Sequence, residues 1–390
     1  MDALTVRFAE RLARAGLCAS GEAAIVCVDE AASFSRQDFP QNAFLAETAR
    51  LLDVACLMLA PPAEPYRTIL EYLAIREAPA IRPRDCETRT FFHDIPVVAQ
   101  PAPELAAAAL SRRKGAYLPG CGILAHGALS PEQAFITVSS VAFAGFVKFF
   151  SDHLAAHRDG TLDAAARDAF AAVVRALPSA PRAVPPLARG PFPDRGAALA
   201  AMAEAGRATV ALGLVDSVFG NISYNLDGVL AISQTGSALD ALEGVIDCCP
   251  LDGSSCAGLT ASSELSAHAA LVARDPRRAI LHGHPKFAVI LSMDCAARRD
   301  CPRRETCHVD CDQPRFVDDI PIVPGEVGCG PRGLVHTMPP ALVGRRGVVV
   351  LGHGVFTMGR DDYNEALGDL CAVETLCRAR YFQALGLPSA

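Results

Sequence analysis

The sequence predicts an α/β protein made of two tandem halves. Three observations carry this. Apolar helical periods alternate with short apolar strands along the chain. A proline-dense stretch interrupts that alternation near the middle. Short motifs then recur, in the same order, on both sides of it.

Taken in order, residues 1–16 place Asp2, Arg7, Glu10, Arg11 and Arg14 among apolar residues at helical spacing. This is an amphipathic helix and not a signal peptide, which needs an uninterrupted apolar core. Residues 23–28 read as a strand, 41–52 as a helix and 54–59 as a strand, with helices at 130–156 and 162–177. The most apolar run, 135–150, contains Lys148 and is short for a membrane span. Residues 178–194 hold Pro178, Pro181, Pro185, Pro186, Pro191 and Pro193. Such a segment continues neither a helix nor a central strand, and it is the expected linker between domains at 1–177 and 195–390. The second half opens with an alanine-rich helix, 195–214, followed by a glycine turn at 220–223 and a strand at 228–233. A helix at 263–273, strands at 278–281, 320–323 and 346–351, and a final helix at 362–385 complete it.

The chain is 51 % apolar and 20 % charged, as in an ordinary globular protein. Its formal charge of −7, with no basic stripe, argues against nucleic acid or an anionic membrane as partner. A cytoplasmic protein is expected. In a reducing compartment its fifteen cysteines point to metal ligation or buried thiols before disulfides.

The halves resemble each other. Phe91-Phe92-His93-Asp94-Ile95-Pro96-Val97-Val98 matches Phe316-Val317-Asp318-Asp319-Ile320-Pro321-Ile322-Val323. Residues 122–127, ending Ala125-His126-Gly127, match 349–354, ending Gly352-His353-Gly354. Asp94 to His126 and Asp319 to His353 span 32 and 34 residues. Residues 56–61 fall opposite 280–285, which puts Met58 and Ala60 where the second half has His282 and His284. The pattern reads as an internal duplication in which the first copy keeps only the third histidine. One imidazole makes no catalytic metal site, so the first copy is expected to be a degenerate, structural pseudo-domain.

Those histidines carry the chemistry. In a strand, side chains at i and i+2 share a face, so His282 and His284 can reach one ion. His353 follows a neighbouring apolar strand and is a third ligand. Three neutral imidazoles with an open position describe a catalytic zinc-type site. Asn221, Thr235, Gly236, Ser262 and Ser263 offer the amide, hydroxyl and backbone donors a phosphate needs. Ordinary turns and a helix N-cap would use the same residues. Cys295, Cys301, Cys307 and Cys311 are spaced C-x5-C-x5-C-x3-C in an arginine-rich insert, 295–311. Four thiolates so close suit a second zinc ion or an Fe–S cluster.

In combination and order, Gly220-Asn221-Ile222-Ser223, Ser233-Gln234-Thr235-Gly236, Ala261-Ser262-Ser263-Glu264 with His268, His282-Gly283-His284-Pro285 and Gly352-His353-Gly354 resemble the class II aldolase/adducin family. Ala261 departs from the family's usual proline, and Gln234 sits inside the T-x-S/T-G element. The resemblance covers about 195–385. It implies three-layer α/β/α domains with mixed, mostly antiparallel sheets. It also implies a divalent metal, usually zinc, on the three histidines, and Glu264 as acid/base. The implied activity is a metal-dependent lyase of the aldolase type, acting on a sugar-phosphate-like hydroxy-carbonyl compound through a metal-stabilised enediolate; dehydration or epimerisation are variants. Tyr117, Tyr363 and Tyr381 are candidates for a further acid. Family members commonly form homo-oligomers. Two alternatives are a non-catalytic, adducin-like assembly protein and a redox sensor built on the cysteine loop.

Overall fold

Short runs of Ala, Ile, Val, Leu and Cys between glycine and proline turns form the strands of two separate main sheets. The computed structural model describes residues 2–179, 183–216, 218–254, 256 and 259–388. Residues 180–182 of the expected linker, and Met1, Ser217, Ser255, Ala257, Gly258, Ser389 and Ala390 of the expected domains, lie outside these. The chain divides into two compact units, Met1–Pro178 and Ser179–Ala390.

The first unit contains α1 (Asp2–Arg14), β1 (Ala24–Val28), β2 (Ala32–Phe34), α2 (Asn42–Leu52), β3 (Cys56–Ala60), α3 (Tyr66–Glu77) and β4 (Ala80–Ile81). It continues with α4 (Cys86–Phe92), β5 (Ile95–Pro96), α5 (Pro103–Leu110), β6 (Gly115–Leu118), β7 (Gly122–Gly127), α6 (Pro131–Asp159) and α7 (Ala164–Ala176). Its main sheet runs β2-β1-β3-β7-β6, every pair antiparallel. Alternation sorts the strand residues between two faces. Ala24, Val26, Leu57, Leu59 and Leu124 pack on Leu45 and Ala49 of α2 and Ala106 and Leu110 of α5. Gly115, on the other face, lies under Thr137 and Val141 of α6. Helix α6 is long and apolar enough to cross a membrane, but its apolar window is 94 % buried, as in a core helix. Its buried Lys148 is neutralised by Glu77 at 2.7 Å and Asp152 at 2.8 Å.

The second unit contains α8 (Arg195–Ala211), β8 (Asn221–Leu226), β9 (Val229–Ser233), β10 (Ile246–Pro250), α9 (Leu265–Val272), β11 (Ala279–Gly283) and α10 (Lys286–Met293). There follow β12 (Arg315–Val317), β13 (Ile320–Val323), α11 (Leu334–Leu342), β14 (Val348–Val350), β15 (Gly354–Gly359) and α12 (Tyr363–Ala384). Its sheet runs β10-β9-β8-β11-β15-β14-β13-β12, antiparallel except for β13–β14. Ile280, Val348, Val350, Phe356 and Met358 pack on α9 and α11. Gly283, on the opposite face, lies beneath Leu370 of α12. Both units are thus α/β/α layers around mostly antiparallel sheets. In this unit two helices escape the sequence reading, as α3, α4 and α5 do in the first: α10 is a short apolar run directly after a strand, and α11 contains Pro339 and Pro340. Of the expected glycine turn, only Gly220 is a turn residue, since Asn221 already opens β8.

The two units share their internal register, but not at every position the sequence suggests. Order β1-β3-β7-β6 repeats as β8-β11-β15-β14. Leu118 pairs Gly122 as Val350 pairs Gly354. A Cβ on Gly122 would strike the Ala60 carbonyl, and one on Gly354 the Gly283 carbonyl, each oxygen at 2.5 Å. The Ile25 N–H donates to Ser35 Oγ as the Ile222 N–H donates to Ser233 Oγ. The Asp-Ile-Pro match holds, because Val97 bridges Tyr117 in parallel as Ile322 pairs Val349. The histidine match does not. His126 lies within β7 opposite Leu57, whereas His353 precedes β15. In the shared register Leu59, Pro61 and Cys121 stand where the second unit has His282, His284 and His353. Met58 and Ala60 are each one residue off. The first unit therefore keeps none of the three ligand positions as histidine.

Candidate metal centre

Strand β11 places His282 on the α9/α11 face, paired with Phe356 across to β15. The chain leaves the sheet at Gly283, and His284 follows on the same side. His353 arrives from the tight turn between β14 and β15, where its N–H donates to the Val350 carbonyl at 3.0 Å. One ring nitrogen from each of the three histidines lies within 4.8 Å of the others, and all three side chains are buried. Glycine is required at position 354, because a Cβ there would also lie 2.7 Å from His282 Cε1 and 2.9 Å from His284 Cδ2.

The rings are held from outside. His282 Nδ1 lies 3.0 Å from the Val355 carbonyl. An N–H donated there leaves Nε2 as the lone pair facing the site, the usual orientation for a metal-ligating histidine. Phe356 stacks on His282 with centroids 4.0 Å apart, and Phe219 on His284 at 5.3 Å. His282 Nε2 lies 3.0 Å from His284 Nε2. Burial pushes the His282 imidazole down to about 4 and that of His284 well below its ordinary value. Both are neutral at physiological pH, the form that binds a metal.

Glu264 closes the site. It is the N-cap residue of α9 and only 3 % exposed. Its Oε2 is 3.4 Å from His282 Nε2, and its Oε1 is 3.7 Å from His353 Nε2. Oε2 accepts from Asn221 Nδ2 at 2.6 Å, while Oε1 accepts no hydrogen bond. Burial alone would raise this carboxyl, but His282, His353 and the Asn221 amide hold it below the usual range. Three imidazole nitrogens and a carboxylate oxygen without a donor make a set that fits one divalent cation. His268 stands behind, with Nδ1 2.7 Å from Ser223 Oγ and burial pushing its pKa to about 3.

The other expected site residues divide. Asn221 spends its amide on Glu264. Thr235 and Gly236, at the end of β9, are brought beside Ser262 and Ser263. The Thr235 N–H donates to the Thr260 carbonyl and its Oγ1 to that of Ala261. Ser262 Oγ accepts from the Glu264 N–H at 3.3 Å, and Ser263 is exposed. Tyr363 donates its hydroxyl to the Ser223 carbonyl, Tyr381 is buried against Phe287 and Phe382, and Tyr117 of the first unit donates to Glu71. Among the described residues, the three histidines are the one group of at least three ligating side chains whose donor atoms all lie within 4.8 Å of one another. The second metal or cluster expected at Cys295, Cys301, Cys307 and Cys311 is not assembled. These thiols are half-buried in the loop between α10 and β12, with Cys307 directed at the Arg304 carbonyl and Cys311 at that of Gln313.

Sequence reading missed the supports of the ligands: the Val355 carbonyl, Phe219, Phe356, and Ser292 Oγ, which accepts from the Gly352 N–H at 2.8 Å. None lies in a motif.

Residues 200–381 match the family model described as class II aldolase and adducin N-terminal domain. A methylthioribulose-1-phosphate dehydratase from Gluconobacter oxydans is 30 % identical over 200 residues, which is 46 % of this chain and 89 % of that protein. Among solved structures, l-fuculose-1-phosphate aldolase from Thermus thermophilus is 24 % identical, over 47 % of this chain and 90 % of that one, with a TM-score of 0.36. A sugar-phosphate aldolase from Thermotoga maritima is 17 % identical, over 48 % and 95 %, with a TM-score of 0.35. The dehydratase is matched along most of its length, and the family's span encloses all three histidines and Glu264, so through its second half the chain belongs to the class II aldolase/adducin family.

Proposed function

We propose that the second half is a metal-dependent lyase of the class II aldolase type. His282, His284 and His353 hold one divalent cation, zinc by preference of three imidazoles. The substrate is a sugar-phosphate-like hydroxy-carbonyl compound. When bound, the cation supplies Lewis-acid stabilisation for negative charge developing on the substrate oxygens. Glu264 moves the proton beside the carbonyl, held ionised and oriented by the Asn221 amide. Thr235, Gly236, Ser262 and Ser263 bind the phosphate. The observation that carries the reading is the buried Glu264 carboxylate, 3.4 Å and 3.7 Å from nitrogens of two of the three clustered imidazoles. The cysteine loop has no part in it. The first half is a degenerate copy without turnover, joined through the proline-rich segment 178–194, and the assembly is a homo-oligomer.

A second reading, dehydration of a ketose phosphate, is favoured by the 30 % identical relative, which is named a dehydratase. Dehydration begins with loss of a proton from the carbon beside the carbonyl, whereas cleavage begins with loss of the β-hydroxyl proton and ends with protonation of the carbon beside the carbonyl; they differ in products. Incubation with a panel of ketose 1-phosphates separates them, since cleavage releases an aldehyde and dehydration does not. Metal analysis of the purified protein should find about one divalent ion per chain, lost in the H282A/H284A double variant. Retention of that metal in the variant rejects the assignment.

A further inference from the structure

Helix α10 begins two residues after His284, and a proline, Pro285, occupies its N-cap. Proline offers no side-chain acceptor, so the first N–H groups of the helix need one from elsewhere. Glu374, in the middle of α12, supplies it. Its Oε1 accepts from the Phe287 N–H and its Oε2 from the Ala288 N–H, each at 3.0 Å. Neighbouring Lys286 is itself tied to Asp216 at 2.5 Å. The far end of α10 carries Ser292, whose Oγ accepts from the Gly352 N–H, next to His353. One helix thus touches the segments bearing two of the three histidines, and Glu374 fixes where that helix starts.

The first unit offers an internal comparison. Gly127 and Gly359 lie alike, each with a Cβ position blocked by the carbonyl three residues on, in Ser130 and Asp362. Helices α6 and α12 therefore start in the same register, and Ala142 falls at the position of Glu374. Where the three ligands are missing, this carboxylate is missing too.

We infer that Glu374 is a positioning residue for the metal centre, seating α10 so that His284 and His353 converge on one ion. The inference rests on the metal reading above. Outer residues that orient metal ligands typically contribute about 10–100-fold in affinity. Zinc affinity of the full-length protein, measured by competition with a chromophoric chelator, tests it. Glu374→Gln puts an amide NH2 against one of two N–H donors and should weaken zinc binding by about 10–100-fold, at unchanged circular dichroism. Glu374→Asp, too short to reach both donors, should fall between it and the wild type; it carries the same comparison if Glu374→Gln fails to fold. Wild-type zinc affinity in the folded variant, whatever its melting temperature, overturns the role and leaves Glu374 a contact of the fold alone. Failure of the wild-type protein to take up zinc is a different result, since it removes the metal site itself and this role with it.

Discussion

Glu264 sits among buried imidazoles with one carboxylate oxygen hydrogen-bonded to Asn221 and the other accepting no hydrogen bond. That asymmetry suits a group that moves a proton. Glu264→Gln keeps the shape and the Asn221 contact while removing the base. Turnover should fall about 10²–10⁴-fold, with the metal retained, as read by single-turnover kinetics and metal analysis on the same sample. The histidines and Glu264 were legible in the sequence because each chemistry-bearing residue lies in a short motif at a strand end or helix start. Asn221 was legible as a site residue, though its amide serves the carboxylate. Glu374 was not legible. It lies mid-helix, 90 residues after His284, and only the packing of α12 on α10 brings it to the Phe287 and Ala288 amides.

At the scale of elements, close backbone approach fixes both sheets. Gly122 and Gly354 do the same work in the two units, but only one of them adjoins ligands. A Cβ at either site forces the backbone apart, at a cost of about 1–3 kcal/mol. Gly354→Ala should lose both stability and metal; Gly122→Ala should lose stability and keep the metal. Calorimetry paired with metal content distinguishes the two, and equal metal loss in both would refute the separation. Six strands (β1, β3, β9, β11, β13 and β14) and the long helices α1, α2, α6, α7, α8 and α12 were legible from apolar periodicity, with ends shifted by a few residues. Helix α11 was hidden by Pro339 and Pro340, which occupy its last turns. Helix α10 was hidden because an eight-residue apolar run after a strand has no period of its own to display.

At the scale of the whole chain, two units of like organisation differ in what they hold. The Asp-Ile-Pro strands align in sequence and in pairing, since a polar marker fixes their register. The apolar strands β3 and β7 carry no such marker, and similarity alone set them one and five residues out. Leu59, Pro61 and Cys121 occupy the places of the histidines. That frame is therefore an acceptor for a transplant. Installing Leu59→His, Pro61→His and Cys121→His together should raise zinc uptake in a calorimetric titration from one ion per chain to two, giving the first unit a port of its own for the cation.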